Sequence, residues 1–173
     1  MISELIKYLL PSLVVLLTAW LVLYLMIKNE DKRRKVELMI GTQKLMTPIR
    51  IQAYERMVLF LERIAPHSLV IRTQKPNMTN LELQNALLKN IRSEFEHNMA
   101  HQLYISDRAW ELTKNAKENV IKTINQNAIR VKPDAPALQL SKLILEKMLD
   151  DDSNDPTIKA IGYLKSEIRQ LFV

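Results

Sequence analysis

Residues 8–27 read YLLPSLVVLLTAWLVLYLMI, an unbroken uncharged run between Lys7 and Lys28. At a rise of about 1.5 Å per residue, a helix of this length matches the roughly 30 Å hydrocarbon core of a bilayer. The run therefore reads as a transmembrane helix. Tyr8 and Tyr24 stand near its two ends, where an apolar ring with a polar tip suits the headgroup boundary, and Lys28 can extend its amine outward. Pro11 falls in the first turn, where its missing N–H matters least. A cleaved secretory signal would carry a shorter apolar core, of about 7–15 residues, followed by small residues at a cleavage site. Here Ile27, Lys28, Asn29 and Glu30 follow instead, which favours a retained anchor. A soluble core helix uncharged on every face would need a much larger protein around it.

Outward from this run, the charges are unequal. Lys7 precedes it, whereas Lys28, Lys32, Arg33, Arg34, Lys35 and Lys44 follow it. The positive-inside rule then predicts a single-pass protein of the cytoplasmic (inner) membrane, with the N-terminus outside and the larger C-terminal part in the cytoplasm. Lys28, Lys32, Arg33, Arg34 and Lys35 also form a basic cluster able to face anionic lipid headgroups, although Glu30 and Asp31 dilute it and an ordinary topology signal explains it more simply.

The whole chain has 173 residues, 47% of them hydrophobic, and a net charge of +6. That length fits one modest domain behind the anchor. With 2 Gly and no Cys, it has no residues for a glycine-rich phosphate loop, a CxxC metal or redox site, a thiol nucleophile or a disulfide. No cofactor is expected. The basic cluster, five cations less two acids, supplies +3 of the +6, and no basic face with interleaved aromatics stands out in the remainder, so no nucleic-acid partner is expected either.

Three segments follow: an anchor over 1–28, a basic juxtamembrane stalk over 29–47, and a cytoplasmic all-helical domain over 48–173. In the stalk, Val36, Met39, Ile40 and Met46 give a weak helical period. Thr47 followed by Pro48 predicts the start of a new helix, which carries Ile49, Ala53, Met57, Phe60, Leu61 and Ile64 and is closed by Pro66. Residues 67–78 fit one helical turn or an extended segment equally well. Thr79 and Glu82 form a capping box opening a helix with Leu87, Ile91, Phe95, Met99 and Leu103 on one face. Ser106 caps the next, lined by Ala109, Leu112, Ala116, Val120, Ile124 and Ala128. Two shorter helices carry Leu140, Ile144 and Met148, and then Ile158, Ile161, Leu164, Ile168 and Leu171, the last one opened by Asp155 and Pro156. No long alternating pattern, repeat or low-complexity tract appears. The predicted fold is all-α: an N-terminal transmembrane helix followed by a small cytoplasmic bundle of about five helices, most simply antiparallel.

The strongest chemical pattern is Glu94, His97 and His101 at i, i+3 and i+7. A carboxylate and an imidazole one turn apart converge on one ion, as in di-iron carboxylate bundles, but such a site needs a second Glu-x-x-His. The one histidine left, His67, stands beside a proline outside any such motif. The acidic run 150–155 begins like a calcium loop, then has Asp155 where glycine belongs and Ile161 where the bidentate glutamate belongs, so it reads as a solvated linker. Around Ser106, Gln102, Tyr104 and Trp110 combine large amphipathic rings with polar groups. Such rings anchor protein interfaces, though packing into the interhelix corner is the more economical use of them.

Gln52, Tyr54, Glu55, Arg56, Glu62 and Arg63 in the stretch RIQAYERMVLFLERI, with Glu96, His97, Asn98, Gln102, Tyr104 and Trp110 in IRSEFEHNMAHQLYISDRAWELTKNAKENVI, resemble a family of uncharacterised bacterial single-pass membrane proteins, a domain of unknown function. The likeness covers most of the chain. It implies a short N-terminal anchor and a small helical cytoplasmic domain, and it adds no activity. The polar residues of the second block suggest that Glu96, His97, Asn98, Gln102, Tyr104 and Trp110 touch a partner.

The function expected from these readings is non-enzymatic: a membrane-tethered helical module for protein interaction or scaffolding, with a protein partner or a homo-oligomer. The alternative is a metal-binding helical-bundle enzyme using Glu94, His97 and His101.

Overall fold

The computed structural model describes residues 2–150 and 155–170, and every regular element among them is helical. The helices are α1 (Ile2–Ile64), α2 (Pro66–Thr73), α3 (Asn80–Asn98), a short 3₁₀ turn (Met99–Leu103), α4 (Asp107–Ala128), α5 (Leu138–Asp150) and α6 (Pro156–Gln170). Residues 151–154 of the acidic run and Leu171 of the last apolar stripe lie outside the described residues. The chain divides into two compact units, 1–46 and 47–173.

In the first unit, α1 is long and apolar enough to cross a membrane, by length and composition. All the side chains from Leu13 to Ile27 are exposed within the chain, as expected of a surface made for lipid rather than for a core. The Trp20 and Tyr24 rings stack at 5.8 Å, and the Lys28 amine lies 6.0 Å from the Tyr24 ring centre. The helix start predicted at Thr47 and Pro48 is not there: α1 runs through both. A proline inside a helix removes one hydrogen bond and crowds the preceding turn, at about 3 kcal/mol, yet the turns on either side remain bonded and hold the helix. The stalk is accordingly helical as part of α1 and not as an element of its own.

In the second unit, α1 buries Ala53, Met57, Phe60, Leu61 and Ile64, together with Tyr54. Ile49, on the same predicted stripe, stays exposed. The open segment after Pro66 is α2, with Pro66 at its first turn and Leu69 and Val70 buried. Asn77 then takes a left-handed φ of 63°, a conformation asparagine tolerates because its short polar side chain can bond locally. The Thr79–Glu82 capping box forms in both directions.

Two differences from the predicted stripes matter for the surface. Leu83, Leu87 and Ile91 of α3 are buried, but the α-helix stops at Asn98, and the 3₁₀ turn carries Met99 and Leu103 out to solvent. With three residues per turn instead of 3.6, positions after Asn98 rotate off the stripe. On α6 the buried residues are Thr157, Ala160, Ile161 and Leu164, whereas Ile158 is exposed.

Helix α4 packs against α3, α5 and α6, and its buried face includes Ala109, Thr113 and Ala116. Its neighbour α6 likewise buries a small residue, Ala160. At one end of the unit, the loops before α3 and before α5 run side by side, with Asn80 N–H donating to Ala135 O and Ala137 N–H to Met78 O, both at 2.9 Å. The buried Asn80 side chain completes the join: its Nδ2 donates to Lys132 O, and its Oδ1 accepts from Leu140 N–H at the start of α5.

Candidate interaction surface

The residues singled out by sequence meet at the corner between α3 and α4. Within it, the rings form a packed row. Phe95 meets Phe60 of α1 at 5.8 Å and stacks on Trp110 of α4 at 5.3 Å, with the Lys117 amine 4.0 Å from its centre. Offset and stacked aromatic contacts of this kind stabilise beyond the area they bury, and a cation over a ring adds to that. Trp110 is thus half-buried in the corner of the bundle, the packing role, instead of standing free as an anchor. Asn98 is likewise spent inside the fold: it is 6% exposed and its Nδ2 donates to Glu94 O at 2.8 Å. Tyr104 is half-buried against the core.

Glu96, His97 and Gln102 remain exposed. Beside them the 3₁₀ turn presents Met99 and Leu103, the latter 78% exposed. Nothing in the helical period pointed to these two aliphatics as surface groups, since at 3.6 residues per turn both fall on the core stripe. Arg63, Ser93, Glu94, Glu96 and His97 line an open depression of about 460 Å³ on the same side.

Glu94 does not join His97 and His101 as a ligand set. Both of its carboxylate oxygens accept from Arg63 Nη1, at 3.0 and 3.1 Å. Among the described residues there is no group of three or more His, Cys, Asp or Glu side chains that could hold a metal ion. The His101 imidazole is held below its usual pKa by burial first, and then by the nearby Arg56 and His97 charges. An environment set to disfavour positive charge on an imidazole includes Arg56, which sequence spacing alone could not bring to it.

Behind the corner, Ser106 caps α4 by accepting from Ala109 N–H at 3.1 Å and donates its own hydroxyl to Glu167 Oε2 of α6 at 2.9 Å. The Tyr54 hydroxyl is buried in the same place and meets no partner in hydrogen-bond geometry. Burial and the Glu167 carboxylate raise the Tyr54 pKa, with Ser106 and Arg50 close enough to oppose them in part, so the phenol stays protonated. Neither Tyr54 nor Glu167 could be assigned to this junction from local patterns, since they are 113 residues apart in the chain.

In the basic cluster, Lys28, Lys32, Arg33, Arg34 and Lys35 are all exposed, but Arg33 Nε is paired with Glu37 at 3.2 Å. One of the five cations is therefore partly neutralised within the helix.

Architecture and surface define a class of protein: one helix of membrane-spanning length and composition leading into a small all-α unit. The chain belongs to a family of unknown function, DUF7935, whose model matches residues 1–171. No curated protein and no solved structure matches it.

Proposed function

We propose that this protein is a non-enzymatic, membrane-tethered helical module that binds a protein partner through the α3–α4 corner. The observation that carries the reading is the outward aliphatic pair Met99 and Leu103, flanked by exposed Glu96, His97 and Gln102 on a scaffold made rigid by the Phe60–Phe95–Trp110 row. An apolar centre with a polar rim on rigid backbone is the usual make-up of a protein contact. The anchor spans the cytoplasmic membrane with its N-terminus outside, on the excess of basic residues after the apolar run. Tethering confines partners to one surface and raises their effective concentration. The basic cluster 28–35 adds attraction to anionic headgroups beside the anchor.

The test is photo-crosslinking from position 103 in intact native membranes, with purification through a C-terminal tag. A discrete crosslinked protein, lost in Glu96→Lys while the domain's melting temperature holds, is the expected result. Equal crosslinking in the variant removes the corner as the binding surface.

A further inference from the structure

Helix α1 carries a second unpartnered face. At about 100° per residue, Leu38, Met39, Thr42, Leu45 and Met46 fall within an arc of about 120°, and Arg33, Glu37 and Lys44 fall within about 40° on the opposite side. Between residues 37 and 46, Ile40 is the one aliphatic residue outside the arc. The stripe is bare: Leu38 is 72% exposed, Met39 69%, Leu45 73% and Met46 40%. Lys35 closes it on the N-terminal side.

We propose that this stripe is a parallel self-association seam, covered by the same stripe of a second copy of this chain. The proposal rests on the membrane reading above, because two copies anchored in one bilayer by the same N-terminal run stand parallel and in register. Each seam residue then meets its own counterpart across a two-fold axis, and the seam must be self-complementary. It is from Leu38 to Met46, where no charge lies within it; Lys35, on the same stripe, would meet its own counterpart and so sets the N-terminal end of the seam. On the far side, Arg33 and Glu37 satisfy one another within one copy at 3.2 Å. Five side chains per copy bury less than the roughly 1,200 Å² of a stable free interface. The seam therefore depends on the confinement that the anchors supply.

The absence of cysteine from the chain makes the test direct. Single substitutions Leu38→Cys, Thr42→Cys and Leu45→Cys on the seam, and Glu37→Cys and Lys44→Cys on the far face, are placed in the full chain and oxidised in native membranes. The disulfide-linked dimer is read after carbonate washing. The three seam positions are expected to form dimer at least about tenfold faster than the two far-face positions, since facing Cα atoms must come within about 7 Å to be bridged. Adding Leu45→Lys to Thr42→Cys is expected to lower its dimer yield by a similar factor. Chain retained in the washed membranes with no preference for the seam positions overturns the seam alone. Seam-specific linkage to a protein of another mass assigns the stripe to a foreign helix and overturns it too. Chain released by the wash overturns the anchor reading, and the seam with it.

Discussion

A single guanidinium nitrogen of Arg63, Nη1, donates to both carboxylate oxygens of Glu94, at 3.0 and 3.1 Å, and so ties the end of α1 to the last turns of α3. This is not the two-nitrogen fork by which arginine most often grips a carboxylate. One point charge in the same place would do most of the same work. Arg63→Lys is therefore expected to keep most of the pair's contribution. Arg63→Ala and Glu94→Gln should each cost up to about 1 kcal/mol, and together little more than either alone, because the arginine is more than half exposed. Urea denaturation of the three single variants and the double variant measures this. A lysine variant as damaged as the alanine one would show that the planar fork is needed after all.

The aromatic row and the exposed corner should respond to mutation in opposite ways. Trp110→Ala removes a half-buried ring stacked on Phe95 and is expected to destabilise the domain by about 2–4 kcal/mol. Glu96→Lys, at an exposed position, should stay within about 0.5 kcal/mol. Thermal melts of the two variants separate a packing role for Trp110 from a purely surface one.

Asn80 holds two loops and the start of α5 with one side chain. Its replacement by alanine leaves Lys132 O and Leu140 N–H without their partner in a buried place. A loss of about 2–3 kcal/mol is expected, with faster amide exchange over 132–140 than over α4. Uniform exchange across both would place the join elsewhere.

The buried Tyr54 hydroxyl has no partner in hydrogen-bond geometry, so deleting it removes a desolvated polar group without orphaning another. Tyr54→Phe is expected to leave stability unchanged or raise it. A clear loss on denaturation would mean that the hydroxyl is bonded in solution, with Ser106 and Glu167 close by.

The His101 pKa lies below that of the unfolded chain, so between the two values the unfolded state binds more protons. Stability is thus complete above about pH 6.5, the ordinary imidazole value. It falls as the pH drops and levels off once the pH lies below the folded pKa. His101→Gln should flatten that part of the profile, and Arg56→Gln should make the fall smaller and end it at higher pH. Denaturation midpoints between about pH 4.5 and 8 test this, and an unchanged slope in His101→Gln would assign the acid sensitivity to another group.

Much of the architecture was legible as local chemistry. The uncharged run before Lys28, the Thr79–Glu82 box, the Ser106 cap and the start at Asp155 and Pro156 each act within a turn or two of the chain, and each marks what its residue types predict. The errors share one cause. Pro48 looked like a helix start because a local rule weighs one proline against one turn, whereas α1 retains the bonded turns on both sides of it. Met99 and Leu103 looked buried because a 3.6-residue period was carried past Asn98, where the backbone tightens. The candidate surface was readable as a region but not by residue: spacing brought out Gln102, Tyr104 and Trp110 together, and packing then separated exposed Gln102 from half-buried Tyr104 and Trp110.

The sequence alone determined that the protein is all-helical, that one apolar helix of bilayer length leads the chain, and where most helices begin, because hydrophobic period, capping and length act over neighbouring residues. Only the tertiary structure decided that Glu94 pairs with Arg63, that Trp110 is half-buried against Phe95, that Tyr54, Ser106 and Glu167 share one junction, and that Met99 and Leu103 face solvent. Most of these depend on which helices meet, a choice made by burial summed over the whole core and carried by no short stretch of the chain.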